Sequence, residues 1–212
     1  MIGPQPANIH GLAWDNATNT LWAVADVPRI GTLNTSTAAF TAAATITGLG
    51  AGEVVSGITF IDAASTFHLL TATSTESCLY TLNTGTGAAT LIGAMGVGNM
   101  VDIAINADGE MYGHSILTDS IYSIDTATGA ATLIGPTGFA ANFAQGMSFD
   151  KPTGVLYAWI HQGGGANTFA AINLATGAAT TVASPASGEY EGAITSAASD
   201  DTIFEHGFES VP

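Results

Sequence analysis

The segment Gly146-Met147-Ser148-Phe149-Asp150 decides the fold, because related segments recur along the chain at an almost constant distance. In each copy two large apolar residues flank a small one. The small residue and the large one after it are Ala13 and Trp14, Thr59 and Phe60, Ala104 and Ile105, and Ser148 and Phe149. The copies begin at Gly11, Gly57, Asp102, Gly146 and, more weakly, Gly192, which gives spacings of 46, 45, 44 and 46 residues. A regular period of this length indicates a repeat protein.

Each repeat predicts four short strands. After the segment above, a polar turn such as Ala107-Asp108-Gly109 precedes a second apolar run, and Asp-Gly between apolar runs is a strong hairpin signal. The third strand ends in Asn or Asp, which opens a turn closed by Thr-Gly before a fourth strand. Blade 1 instead has Thr35-Ser36-Thr37, which predicts a degenerate turn. Since no window has helical periodicity, the sequence predicts an all-β protein, a β-propeller of four-stranded blades.

The repeat count predicts five blades, the last of them incomplete. We expect a single domain over residues 1–212, with blades at about 9–50, 55–96, 100–138 and 144–184 and a partial blade from 190–205 together with 1–4. Met1-Ile2-Gly3-Pro4 matches the end of a fourth strand, Leu133-Ile134-Gly135-Pro136. The alternative is a ring or array completed by a strand from another chain, because an open strand edge invites pairing.

The repeats resemble the NHL-like and YVTN-like bacterial β-propeller class in their succession of Gly-apolar-x-apolar-Asp, apolar-Tyr and Ile-Tyr-x-Ile-Asp-x-x-Thr-Gly. Blade 3 carries the last pattern at Ile121–Gly129. The resemblance implies architecture alone, because propellers host unrelated activities. The segment Ile203-Phe204-Glu205-His206-Gly207-Phe208-Glu209 is similar to a tail of some secreted bacterial proteins, which implies a role in sorting.

The charge balance excludes several classes of partner. Lys and Arg total 2, Asp and Glu total 17, and the net charge is −15. Phosphate binding needs basic residues in number, so neither nucleic acid nor an anionic membrane surface is a partner. No apolar run reaches the length of a membrane span. The low Lys content, beside abundant Ala, Thr, Gly and Ser, favours an extracellular or cell-surface bacterial protein, and the lone Cys78 excludes an intrachain disulfide.

The candidate site is a ring of polar residues at one mouth of the propeller axis. The position before each repeat glycine should face this mouth, Asp102 replaces the glycine itself, and two histidines lie in the connections between second and third strands. The candidate ligand-binding residues are His10, Ser56, Asp102, Gln145, Glu191, His114 and His161. Asp102 and Glu191 would be oxygen ligands if the ring holds calcium. The alternative is a solvated polar rim without a ligand.

Catalytic motifs are missing from the sequence. It contains neither Gly-x-Ser-x-Gly nor His-Glu-x-x-His, and no catalytic residue is assigned. We therefore expect a non-catalytic extracellular module that binds a glycan or protein partner, or that assembles at a surface through self-association by strand exchange. The alternative function is a calcium-dependent hydrolase of the lactonase or esterase type with its site at the channel mouth.

Overall fold

Four antiparallel sheets make up the part of the chain that the computed structural model describes, residues 8–61, 64–142 and 145–185. Each sheet has four strands in chain order. Blade 1 contains β1 (Ile9–Asp15), β2 (Thr20–Ala25), β3 (Arg29–Leu33) and β4 (Phe40–Thr45), and blade 2 contains β5 (Val54–Ile61), β6 (Thr66–Ala72), β7 (Ser77–Leu82) and β8 (Ala89–Ala94). Blade 3 contains β9 (Met100–Ile105), β10 (Met111–Ser115), β11 (Ser120–Ile124) and β12 (Ala131–Pro136), and blade 4 contains β13 (Met147–Asp150), β14 (Val155–His161), β15 (Asn167–Ile172) and β16 (Ala179–Ala183).

The turn between the third and fourth strands has the same construction in every blade. A side-chain oxygen accepts the N–H group two residues later, as Asn83 does from Gly85 at 3.0 Å. Four residues after that Asn or Asp, the backbone is left-handed: Gly87, Gly129 and Gly177 have φ of 74°, 78° and 77°. Blade 1 has Ala38 there with φ 58°, and Asn34 accepts the amide of Ser36 at 2.9 Å. The turn of blade 1 thus departs from the Thr-Gly pattern in sequence but keeps the same backbone, because the Asn34 side chain fixes the turn without glycine.

The blades pack face to face around the inner strands β1, β5, β9 and β13, each of which contacts the next in chain order. We call the face that a blade turns toward its successor the forward face. On the two middle strands, one directly opposed pair of this face is Val24 and Ile30 in blade 1, Leu70 and Leu79 in blade 2, and His114 and Ile121 in blade 3. The corresponding pair in blade 4 is Trp159 and Phe169. The aliphatic pairs of blades 1 and 2 are fully buried in the clusters that join each blade to its successor.

A backbone hydrogen bond repeats at each of these interfaces. The first residue of a fourth strand donates its N–H to the linker of the preceding blade: Ala89 to Thr47 at 2.9 Å, Ala131 to Met95 at 3.1 Å and Ala179 to Thr137 at 2.9 Å. The outer parts of neighbouring blades are thus joined as regularly as the inner strands.

The β-propeller of four-stranded blades is confirmed. The partial fifth blade, from 190–205 with 1–4, lies outside the described residues and remains a prediction. The single domain over residues 1–212 also remains a prediction, because it includes residues that are not described. Among the described residues, no helix is long and apolar enough to cross a membrane.

Candidate functional site

The propeller axis holds only a narrow space. All four inner strands line a cavity of ≈ 30 Å³, with walls formed by Leu12, Trp14, Phe60, Ile105 and Phe149 among others. That volume has room for roughly two water molecules at most. Lys151 also lines the cavity. In the part of the chain that the structure describes, this cavity is too small for an organic ligand.

Asp102 lies at the level where three blades meet. Its side chain is 3 % exposed. One carboxylate oxygen, Oδ1, accepts the backbone N–H of Ile103 at 2.9 Å, and the other, Oδ2, accepts that of Met147 in blade 4 at 2.7 Å. On the other side Asp102 contacts Gly57 of blade 2, where an added Cβ would come 2.5 Å from Oδ1. Burial raises the pKa of Asp102 well above its ordinary value, and the two N–H groups offset this only in part.

His114 lies directly opposite Asp102, on the neighbouring strand of blade 3. It is 2 % exposed, and in the described part of the chain its Nε2 has no hydrogen-bond partner. Burial lowers the pKa of His114 to about 4, although the negative charge of Asp119 acts in the opposite direction. The imidazole is therefore neutral at physiological pH. The sequence placed His114 in a connection at the rim, but it is part of β10 and faces blade 4.

Gln145 and His161 contact each other in blade 4. The Nε2 group of Gln145 donates to the carbonyl oxygens of Asn142 and His161, each at 3.2 Å. The ring Nδ1 of His161 lies 2.8 Å from Oδ1 of Asn167. Both residues are buried, at 2 % and 8 % exposed, and their described hydrogen bonds tie the linker into β13 to the β14–β15 hairpin.

The remaining candidates lie on separate strands. Ser56, in β5, donates its hydroxyl to the carbonyl oxygen of Met100 in blade 3 at 3.1 Å. His10 is half-buried in β1. Glu191 lies outside the described residues. The structure thus brings Asp102 close to His114 and Gln145 close to His161, while Ser56 joins blades 2 and 3.

A calcium site remains a prediction. Among the described residues, no group of three or more His, Cys, Asp or Glu side chains could hold a metal ion. Asp102 is the described half of the predicted ligand pair, and both of its oxygens accept backbone N–H groups. Calcium takes six to eight oxygen ligands, and Glu191, the other predicted ligand, lies outside the described residues.

A carboxylate cluster that sequence reasoning did not select as a site lies between blades 1 and 2. Oε2 of Glu53 accepts hydrogen bonds from Tyr80 at 2.7 Å, Thr71 at 2.9 Å and the Gly50 amide at 3.2 Å. Burial on its own raises the pKa of Glu53, but these bonds and one from Cys78 outweigh it and lower the pKa. Burial and the neighbouring Glu53 raise the pKa values of Cys78 and Tyr80 to about 12. Cys78 is therefore not a nucleophile at neutral pH.

Two open grooves lie on the opposite face from the predicted mouth, between the turns that join first to second and third to fourth strands. The larger encloses ≈ 560 Å³ between blades 1 and 2, and the other encloses ≈ 460 Å³ on blade 3. Hydroxyl and carboxylate groups line both, and the larger groove also has the amide of Asn83. The larger is lined by Asp15, Thr18, Phe60, Ser65, Thr66, Phe67, Thr81, Asn83 and Thr84, and the other by Glu110, Tyr112, Ser123, Asp125, Thr126 and Thr132. The recurrent polar turns were the signal for these grooves, but the sequence alone explains such turns as hairpin connections.

Comparison with known proteins shows the fold. No protein-family model matches the sequence, and no curated protein matches it. The PQQ-bound aldose sugar dehydrogenase from Streptomyces coelicolor is 15 % identical and superimposes with a TM-score of 0.60, over 85 % of this chain and 68 % of that one. An auxiliary nutrient-binding protein from Bacteroides thetaiotaomicron is 16 % identical with a TM-score of 0.58, over 87 % of this chain and 43 % of that one. A chain of a nidogen/laminin complex is 15 % identical with a TM-score of 0.56, over 83 % of this chain and 62 % of that one.

These similarities identify the class of protein. The chain is a β-propeller, and it spans from less than half to about two thirds of the length of these three structures. Identity this low supports the shared architecture and no shared chemistry.

Proposed function

We propose that this propeller is a non-catalytic, extracellular binding module whose ligand is a glycan, or a glycan-bearing protein, held on its outer surface. One observation carries the proposal: the side chains of Asp102 and His114 are buried between blades, while the open grooves lie among the hairpin turns. Asp102 and His114, the best axial candidates for acid–base chemistry, contact backbone and neighbouring blades and do not face an open cavity.

The lining of the grooves favours a neutral ligand. The larger groove combines Thr, Ser and Asn side chains with the rings of Phe60 and Phe67, whose centroids are 4.6 Å apart. Hydroxyl and amide groups around an apolar floor can recognise a sugar by hydrogen bonds and by contact with its C–H groups. Its volume lies within the usual range for small-ligand sites. With a net charge of −15, the protein repels acidic glycans and phosphorylated ligands.

The compared structures support the propeller architecture alone, since they include a sugar dehydrogenase as well as a nutrient-binding protein and a nidogen/laminin complex. The near-absence of Lys supports an extracellular location. A hydrolase built around axial calcium has no comparable support among the described residues.

A glycan array probed with the fluorescently labelled full chain tests the proposal. We expect neutral glycans to bind and acidic ones to bind weakly. Thr84→Arg places a long side chain in the larger groove and should reduce binding at least tenfold. Thr35→Arg, the same turn position in blade 1 but outside the lining of both grooves, is the matched control and should bind normally. If no glycan binds, or if both variants bind as the wild type does, the proposal is wrong.

A further inference from the structure

We propose that the groove on blade 3 is a subsite for a positively charged amino sugar, with a specificity different from that of the larger groove between blades 1 and 2. The inference rests on the proposed function, because it requires that glycans bind in the grooves, and it names the class of sugar that one of them takes. Its basis is the way in which the blade 3 groove differs from the larger groove at corresponding positions.

The two grooves are built from corresponding positions of successive blades. The lining of the larger groove includes residues 65–67 and 81–84 of blade 2, and that of the blade 3 groove includes residues 109–111 and 123–126. In blade 2, His68 lies opposite Thr81. In blade 3, Tyr112 has the position of His68 and lies opposite Ser123. The two sets of lining residues are therefore equivalent in the repeat, and their side chains decide what each groove can bind.

Blade 3 has carboxylates at two of these positions, where the other blades have neutral side chains. Glu110 directly precedes β10, and Asp125 directly follows β11. The corresponding pairs are Thr20 and Asn34 in blade 1, Thr66 and Asn83 in blade 2, and Val155 and Asn173 in blade 4. The repeat therefore forms this hairpin without either charge.

The turn after β11 does not need the charge of Asp125. Its Oδ1 atom accepts the N–H groups of Ala127 at 2.8 Å and Thr128 at 3.2 Å. In blade 2, Oδ1 of Asn83 accepts the two corresponding N–H groups, both at 3.0 Å. An amide oxygen thus makes the same two hydrogen bonds, so the turn does not explain the carboxylate.

The two carboxylates belong to opposed positions of one hairpin. Met111 and Ile124 are directly opposed, so Glu110 and Asp125 occupy the next pair of positions outward. Opposed residues have Cβ atoms about 4.5–5.5 Å apart, and like charges at such positions are destabilising. Neither of the two basic residues of the chain lines this groove. The hairpin therefore has a repulsion that a bound cation would relieve.

One oxygen of each carboxylate is available to a ligand. Oε2 of Glu110 accepts the Nδ2 group of Asn106 at 2.8 Å and the hydroxyl of Tyr112 at 3.2 Å. Its Oε1 atom and Oδ2 of Asp125 accept no hydrogen bond from the described residues. The larger groove also has a carboxylate, Asp15, but that side chain is 7 % exposed and both of its oxygens accept hydrogen bonds within its own turn.

The size and lining of the blade 3 groove fit an organic cation. It encloses ≈ 460 Å³, which is within the usual range for small-ligand sites and far more than a metal ion fills. A protonated amine has three N–H donors for the two available carboxylate oxygens. The hydroxyl groups of Ser123, Thr126 and Thr132 also line the groove and can bond those of a sugar. A sugar that carries an ammonium group matches both features.

Isothermal titration calorimetry of the full chain with two hexasaccharides at pH 6 and 150 mM salt tests the proposal. The probes are the β-1,4-linked hexamer of glucosamine, which is cationic, and that of N-acetylglucosamine, which is neutral. We expect the cationic hexamer to bind at least tenfold more tightly. Asp125→Asn should abolish this preference. Asp108→Asn removes an exposed carboxylate from the β9–β10 turn, outside the groove lining, and should change the preference less than twofold.

A wild type without this preference, or a preference that survives Asp125→Asn, would overturn the proposal. Thr84→Arg obstructs the larger groove, so it should leave the binding of the cationic hexamer intact. If neutral glycans bind and Thr84→Arg weakens them, but the cationic hexamer is not preferred, the assignment of the blade 3 groove fails and the proposed function stands. If no glycan binds at all, both fail.

Thermal denaturation without a ligand gives an independent readout. Asp125→Asn removes the repulsion with Glu110 and keeps the hydrogen bonds of the turn, so it should raise the melting temperature by about 1–3 °C. Asp108→Asn should leave it unchanged. A clear decrease for Asp125→Asn would show that the charge serves the fold and would contradict the proposal.

Discussion

The carboxylate of Asp102 in blade 3 accepts the backbone N–H of Met147 in blade 4 at 2.7 Å, so this side chain joins the inner strands of two blades. The same carboxylate packs against Gly57 of blade 2. Asp102 stands where the other complete repeats have glycine, and it uses the space that Gly57 leaves open. Its buried acid therefore has a structural explanation that does not require a ligand.

Gly57→Ala should destabilise the protein through Asp102. The added Cβ would come 2.5 Å from the Oδ1 atom of Asp102, so the carboxylate or the strand has to move. We expect a loss of about 1–3 kcal/mol in the free energy of unfolding, the usual cost of overpacking. Urea denaturation measures the loss. Gly85→Ala is the matched control, because its added Cβ would meet its nearest neighbour at an ordinary 3.5 Å.

A double-mutant cycle separates this contact from a general effect on β5. Asp102→Gly alone should cost about 1–3 kcal/mol, because it leaves the N–H groups of Ile103 and Met147 without the carboxylate. In that background Gly57→Ala should cost about 1 kcal/mol less than in the wild type. Strict additivity of the two substitutions would show that the carboxylate is not what limits space at Gly57.

His114→Leu should reduce the loss of stability in acid. Burial lowers the pKa of His114 to about 4 from 6.5, so its contribution is complete above pH 6.5 and is lost as pH falls toward 4. Leucine is the residue that blade 2 has at this position, Leu70. The variant should retain on the order of 3 kcal/mol more of its neutral-pH stability at pH 4 than the wild type does. Chemical denaturation between pH 4 and 8 measures this difference.

Other buried groups also contribute to the change in stability with pH. His68 is also buried with a lowered pKa, and Asp102, with a raised pKa, contributes in the opposite direction, losing stability as pH rises. The informative quantity is therefore the difference between variant and wild type at each pH. A difference that does not change between pH 8 and 4 would show that the pKa of His114 is the same in the folded and unfolded states, as expected for a side chain accessible to water.

Glu53→Gln should weaken the junction of blades 1 and 2 at neutral pH. The lowered pKa of Glu53 means that its carboxylate stabilises the fold above its unfolded pKa, near 4.5, and that this contribution is lost as pH falls through the folded value. We expect the melting temperature of the variant to be lower at pH 7 and to approach that of the wild type at pH 3. Differential scanning calorimetry at both values checks it. An equal deficit at pH 3 would indicate a loss of packing and not of charge.

Ala38→Gly and Gly87→Ala should have opposite effects. Both positions have left-handed backbone, which alanine adopts at a cost of about 1–2 kcal/mol. Glycine at 38 removes that strain, partly offset by the entropy of a more flexible unfolded chain, for a gain of up to about 1 kcal/mol. Alanine at 87 adds the strain and also meets the carbonyl of Thr45. Thermal denaturation should give a small increase in melting temperature for the first variant and a clear decrease for the second.

The repeat period and the alternation of apolar residues were enough to predict the propeller, because each blade repeats the same local sequence pattern. The position of each residue within its blade was harder to predict from the sequence. His114 was expected in a rim connection but lies in β10, since strand length varies by a residue or two between blades. The contacts of Asp102 with Met147 and Gly57 could not be predicted, because these residues come from blades 45 residues away in either direction. Likewise, the sequence identifies the polar turns that line the grooves only as ordinary hairpin turns, because the grooves form between turns that are distant in sequence.

If the axis serves to join the blades and ligands bind elsewhere, calcium should not stabilise the protein. The melting temperature of the full chain is measured with excess calcium and with a chelator, for the wild type and for Asp102→Asn. We expect calcium to leave the melting temperature of both unchanged. A calcium-dependent increase in the wild type that Asp102→Asn abolishes would contradict it and would place a metal site at the mouth of the channel.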